Sequence, residues 1–174
     1  MLFGQNRVSQ RAHNVATFLV ALGTTASSFW ILAVNSWMQT PAGFEMIEGK
    51  AHVLSWMEVI FNPSLILRLC HMVLASGLTA AFIIAGISAY KILKGDPSQA
   101  TKKAMHVGII IAACIIPVQI YVGDASGLLV LKHQPEKLAA IEAIWETEKP
   151  AGLSLFAIPN ETTRSNDFDI KIPH

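Results

Sequence analysis

Charge is what this chain has least of. Asp, Glu, Lys and Arg make up 14% of its 174 residues and hydrophobic residues 52%, and the few charges are scattered between long uncharged runs. A soluble domain carries about a quarter charged residues, so the pattern is that of a membrane protein. Lys and Arg number 13 against 12 for Asp and Glu, a formal net charge of +1, and no Lys/Arg cluster is interleaved with aromatics. That excludes a polybasic nucleic-acid binder. Cysteine is scarce: Cys70 and Cys114 each sit in an apolar run with no second Cys or His at zinc spacing. Disulfide and zinc readings both fail on local grounds, which leaves packing thiols. The start, MLFGQNRVSQRAH, leads into an apolar stretch too long for a signal peptide and without a small-x-small cleavage site before a polar segment. It is expected to stay as a membrane span.

Three runs are free of charge: Ala12 to Val34, Leu69 to Tyr90 and Ala104 to Val122. Each is about 19 to 23 residues, enough to cross a bilayer core as a helix. The expected fold class is an all-α membrane protein, three transmembrane helices of a larger helical bundle with a polar extracytoplasmic segment. The expected divisions are a cytoplasmic start and first span over 1–34, an outer loop over 35–62 and a second span over 63–92. A basic cytoplasmic loop over 93–103, a third span over 104–122 and a polar outer segment over 123–174 follow. Orientation rests on Lys and Arg, which cytoplasmic loops retain. Arg7 and Arg11 precede the first span, and Lys91, Lys94, Lys102 and Lys103 lie between the second and third. The first connection instead holds Glu45, Glu48 and Glu58 against Lys50, with Arg68 at its edge. The amino terminus and the second loop are therefore expected inside.

Thr17, Ala21, Thr24 and Ser28 recur at helical spacing on the first span and suit close helix packing. On the second, His71, Ala75, Leu78, Phe82, Gly86 and Ala89 share one face. Pro117 with Gln119 is expected to loosen the last turn of the third span just before Gly123-Asp124, putting an acid at the outer boundary.

His71 is the most telling residue, since a titratable side chain inside a span usually faces a bundle interior and marks a proton path, an ion site or a cofactor ligand. Imidazole is a common axial ligand to haem iron. An interhelical hydrogen bond is the plainer use of the same side chain. His13 and His106 lie near the cytoplasmic ends of their spans, where an imidazole reaches water or headgroups; His52 and His133 fall in polar connections, and His174 is the last residue.

After the third span the chain carries most of its acids, yet keeps apolar pieces such as Leu138 to Ile141 and Leu153 to Ile158. From Pro135 to Glu148 the periodicity predicts a helix with Leu138, Ile141, Ile144 and Trp145 on one arc. Lys137 and Glu142 border that arc at a separation unsuited to an i,i+4 ion pair. A solvated amphipathic helix accounts for this; so does a pocket with an apolar floor and a proton-accepting acid, fit for a quinol head group. By the topology above, His71, Asp124, Lys137 and Glu142 share one side of the membrane.

The longest motifs make the sequence specific. RVSQRAH and VALGTTASSFWILAVNSWMQTP lie between Arg7 and Pro41, and FNPSLILRLCHMVLASGLTAAFIIAGISAY runs from Phe61 to Tyr90. GDASG follows at Gly123 to Gly127, KLAAIEAIWETE at Lys137 to Glu148 and LFAIPN at Leu155 to Asn160. With these the chain resembles a middle section of subunit I of the cytochrome bd quinol oxidases. The resemblance implies that His71 is an axial ligand of the low-spin b-type haem. It implies that Lys137 and Glu142 bind quinol in the family's Q loop, with Asp124 at its entrance. Quinol oxidation at the outer face of a bacterial or archaeal-type plasma membrane would then feed electrons towards oxygen reduction to water. The high-spin haem b, the haem d and their ligands are implied outside this chain. So are the Met completing the low-spin pair, the rest of subunit I and a second membrane subunit. A partial, split or truncated subunit, inactive alone, is the expectation. A haem-free interaction or assembly module with the same packing pattern is the alternative.

Overall fold

The computed structural model describes residues 8–96, 98–148 and 150–172. Arg7, one of the residues that orient the first span, and His174 lie outside them. The chain divides into two compact units, residues 1–122 and 123–174. Among the described residues, three helices are long and apolar enough to cross a membrane, and these residues are mostly helical, as the charge-free runs predict.

The first unit opens with α1 (Gln10–Gln39), whose amino end is capped by Ser9 accepting from the Ala12 N–H. Within α1 the hydroxyls of Thr17, Thr24, Thr25 and Ser28 each donate to the carbonyl four residues back, so these four hydroxyls need not face lipid unpaired. The face expected to pack, Thr17 to Ser28, is largely uncovered by this chain; α1 buries Ala33 and Ser36, near its other end. A hairpin follows, β1 (Phe44–Ile47) paired antiparallel with β2 (Lys50–Val53). Glu48 and Gly49 at its tip both have positive φ, 51° and 75°, the signature of a two-residue turn whose twist matches its strands. A short helix α2 (Trp56–Ile60) leads to α3 (Leu65–Leu93).

The end of α1 is fastened to the start of α3 by buried polar side chains. The Thr40 and Ser64 hydroxyls share a hydrogen bond at 2.7 Å, and the Asn62 amide donates to the carbonyls of Ala33, Val59 and Ile60 at 3.2 to 3.3 Å. Asn62 and Ser64 are each 2% exposed. Beside them the Trp37 indole donates to the Ala42 carbonyl and meets Phe44 edge to face, while Arg68 donates to Asn35. This is what the motifs NSWMQTP and FNPS encode: a buried polar joint in which Thr40, Asn62 and Ser64 bond one another and the Ser36 carbonyl, while the Ser36 hydroxyl has no partner among the described residues.

The last long helix, α4 (Gln99–His133), begins where Ser98 accepts from the Thr101 N–H and Thr101 donates to Asp96. Backbone and side-chain bonds from Ser98 and Thr101 hold the Asp96 carboxyl below its ordinary pKa. α3 and α4 approach through small residues. Gly108 lies against Ala81 and Ala85, Gly77 against Ile115, and Ala81 and Ala112 are buried. Pro117 sits inside α4, which continues to His133 rather than ending near Val122. A proline forfeits one hydrogen bond and bends a helix more readily than it ends one when the flanking sequence is helical. Asp124 and His133 are therefore helical residues, not loop residues. Cys70 and Cys114 are free thiols, exposed on this chain, so their packing role is not met by its own core.

In the second unit, after the end of α4, helix α5 (Pro135–Ile141) carries Pro135 in its first turn. The helix expected to reach Glu148 stops at Ile141 instead. Ala143 takes φ 53°, the Ile144 N–H closes onto the Ala139 carbonyl, and Asn166 holds the turn by donating to the Ala143 carbonyl and accepting from the Trp145 indole. A partner distant in sequence thus overrides local periodicity. The remainder is a second hairpin, β3 (Leu153–Asn160) with β4 (Ser165–Ile172); neither hairpin was expected from the charge-free runs.

Candidate functional site

His71 stands in the second turn of α3, half-buried. Its neighbour across the helix pair is Gln119 of α4, whose amide nitrogen lies 3.1 Å from Nε2 and 3.3 Å from Nδ1 of the imidazole. The amide oxygen of Gln119 is buried and, among the described residues, has no hydrogen-bond partner. The close α3–α4 approach at Gly108 and Gly77 is what lets two side chains from different spans meet. Sequence reasoning saw Gln119 only as a companion of Pro117; an amide inside an apolar run was the signal that it needed a partner.

The donor set bears on what His71 could hold. Among the described residues, no group of three or more His, Cys, Asp and Glu side chains comes together as a metal site. A zinc-like ion needs three or four protein ligands. A haem iron has four positions filled by its macrocycle and takes only axial ligands from protein, and the second ring nitrogen of such a histidine donates to an acceptor nearby. A lone imidazole such as His71 fits the axial-ligand demand, and the group it meets on α4 is the Gln119 amide nitrogen.

In the second unit a cleft of about 490 Å³ is lined by Asp124, Leu128 and Leu131 of α4, Leu138 of α5, and Glu142 at the end of α5. Three carboxylates, those of Asp124, Glu142 and Glu148, thus share a cleft with an apolar floor. Asp124 is exposed and Glu142 half-buried. Glu142 is placed by the helix stop itself, since its N–H bonds the Leu138 carbonyl as the helix cap while Ala143 turns the chain away. Lys137 lies on α5 but, among the described residues, not among those lining this cleft. On the neighbouring side of α5 a second cavity of about 610 Å³ is bordered by Glu136, Ala140, Trp145 and Pro159. Between the strands, Asp169 accepts from Ser154 at 2.6 Å, Asn166 at 3.0 Å and Lys171 at 3.4 Å. The Ser154 bond is the foremost cause holding its carboxyl below the ordinary value.

The chain is 35% identical over 174 residues to cytochrome bd-II ubiquinol oxidase subunit 1 of Escherichia coli (strain K12), covering 98% of this chain and 34% of that protein. It is 33% identical to cytochrome bd ubiquinol oxidase subunit 1 of Bacillus subtilis (strain 168), covering 99% and 37%. The solved bd oxidase of Geobacillus thermodenitrificans superposes with a TM-score of 0.86 at 33% identity, over 99% of this chain and 40% of that one. The chain therefore spans between a third and two fifths of the proteins it matches. The family model for cytochrome bd terminal oxidase subunit I matches residues 1–174, and with the three apolar helices this settles the family: the chain belongs to cytochrome bd terminal oxidase subunit I, a multi-pass membrane protein.

Proposed function

We propose that this chain supplies the quinol-facing part of a cytochrome bd-type terminal oxidase, in which His71 is an axial ligand of a low-spin b-type haem and the outer segment receives quinol. The observation that carries the reading is the His71–Gln119 pair: an imidazole held between two spans, meeting the Gln119 amide nitrogen, with no other metal-binding cluster among the described residues. The haem, when bound, supplies a one-electron acceptor. His71 fixes its position from α3. Glu142, in the cleft with Asp124, takes a hydroxyl proton from the quinol head group as general base. Asp124 receives or relays protons at the cleft edge, and Lys137 fixes the head group by hydrogen bonding. The basic residues of the second loop support a position for this segment on the outer face, and the reading puts that face on a bacterial or archaeal-type plasma membrane, with the protons released there. The high-spin b and d haems belong to parts of the complex beyond these residues, as do the rest of subunit I and a second membrane subunit.

The test is the reduced-minus-oxidised visible spectrum of membranes carrying the full-length subunit with its partner, native against His71→Ala. Selective loss of the low-spin b band together with quinol oxidase activity is expected. An unchanged spectrum would make His71 a packing residue and turn the reading towards a haem-free module.

A further inference from the structure

We infer that Asn166 of β4 is a positioning residue for quinol: its side-chain amide holds the turn after α5 that forms one wall of the cleft of Asp124 and Glu142, and so sets how tightly a quinol head group is gripped there. This role rests on the proposed use of that cleft and goes beyond it by naming a residue outside the cleft on which its shape depends. Ile144, Thr147, Glu148 and Ala151 line the cleft, and all four follow the point where α5 stops at Ile141. Had the helix run on to Glu148, as its periodicity favours, these residues would be carried along the axis of α5 at about 1.5 Å each. They would not fold into a wall beside Leu138 and Glu142.

The stop is one that alanine does not make unaided. Ala143 takes φ 53° and the Ile144 N–H bonds the Ala139 carbonyl, a helix ending that ordinarily has glycine at this position because a Cβ is crowded there. Asn166 offsets that strain from outside the helix. Its amide nitrogen donates to the Ala143 carbonyl and to Asp169 Oδ2, each at 3.0 Å, and its oxygen accepts from the Trp145 indole at 2.9 Å. The orientation of this amide is fixed by its partners, since an indole N–H can only donate while a carbonyl and an ionised carboxylate can only accept. Asp169 in turn accepts from Ser154 of β3 at 2.6 Å, so the turn is moored to both strands of the hairpin. Asn166 is not among the described residues that line the cleft; it acts through the turn.

The experiment measures steady-state quinol oxidation per haem in membranes carrying the complete complex, for Asn166→Ala, Ala143→Gly and the two combined. The substrate is decylubiquinol or menadiol, whichever the native complex oxidises. A wall that grips ground state and transition state alike shows in KM and not in kcat. Asn166→Ala is expected to raise KM about tenfold, the worth of one or two hydrogen bonds, with kcat per haem within about twofold of native. Glycine takes positive φ freely, so the double variant should have a KM within about threefold of that of Ala143→Gly. A native KM in Asn166→Ala overturns the inference, as does a raised KM that the added Ala143→Gly leaves unrelieved. A lowered kcat at native KM, the mark of a hairpin that merely folds less often, overturns it too. Should Asn166→Ala fail to assemble, Trp145→Phe removes the indole donor alone and decides: a KM raised about threefold supports the role, and a native one refutes it. Glu142→Gln in the same membranes separates the two claims. If that variant keeps native kcat and KM, the reading of the cleft itself has failed; if it is impaired while Asn166→Ala has a native KM, only the positioning role has.

Discussion

Gly108 of α4 lies so close to Ala81 of α3 that a Cβ added to it would stand 2.7 Å from the Ala81 carbonyl oxygen and 3.2 Å from the Ala85 Cβ. The obstruction is helix backbone, which cannot swing aside as a side chain does. Glycine here is a packing requirement, since Gly108 itself sits in an ordinary helix.

Gly108→Leu should therefore push α3 and α4 apart, at about the 1–3 kcal/mol typical of overpacking. Because these two helices carry His71 and Gln119, the variant should lose the low-spin b band as well as thermal stability. Melting of the detergent-solubilised complex, followed by haem absorbance, checks both. Native melting with a native spectrum would mean that the two helices separate there without consequence.

Glu142→Gln keeps the cleft's shape and removes the carboxylate proposed as its base. Quinol oxidation should fall by about 10²- to 10⁴-fold in kcat, the usual worth of general acid–base catalysis, with the dithionite-reduced haem spectrum unchanged. Lys137→Ala should act mainly on KM, since its proposed role is to hold the head group and not to move a proton. Steady-state quinol oxidation with each variant distinguishes the two. A Glu142→Gln enzyme with native kcat would remove Glu142 from proton transfer.

Asp169 gives the second hairpin a pH dependence of known sign. Its folded carboxyl titrates below the ordinary 3.8, chiefly through the Ser154 hydrogen bond. The stabilisation is fully present above 3.8 and fades as pH falls from there through the lower folded value. Hydrogen-exchange protection factors for the β3 and β4 amides should decline over that window. Asp169→Asn should flatten the decline, and an equally steep fall in that variant would assign it to another group.

The spans were legible because lipid leaves little choice: a run without charge that is long enough to cross becomes a helix. The site was legible only in part. His71 announces itself as an imidazole in such a run, but Gln119 lies 48 residues away, and nothing local marks it as a partner. Residues 142–148 went the other way. Leu138, Ile141, Ile144 and Trp145 do keep a helical period, and the chain departs from it because Asn166, from β4, binds both the Ala143 carbonyl and the Trp145 indole. The hairpin at Glu48-Gly49 carried a turn signal short enough to be overshadowed by the acids around it. Lys137 and Glu142 border one arc in sequence, whereas the early helix stop makes Glu142 a cap and puts it in the cleft with Asp124.

The polar joint of Thr40, Asn62 and Ser64 has a consequence for how the protein tolerates change. Residues 41–61 leave and return at one fastened point, so the hairpin and α2 form a closed insert whose lengthening costs little more than loop entropy, about 0.6 kcal/mol per doubling. His71 follows Ser64 by about two helical turns, roughly 10 Å of rise. Its depth in the membrane is thus gauged from the joint and not from the loop. Sequence can drift, grow or acquire a docking partner across those residues while the imidazole keeps its level.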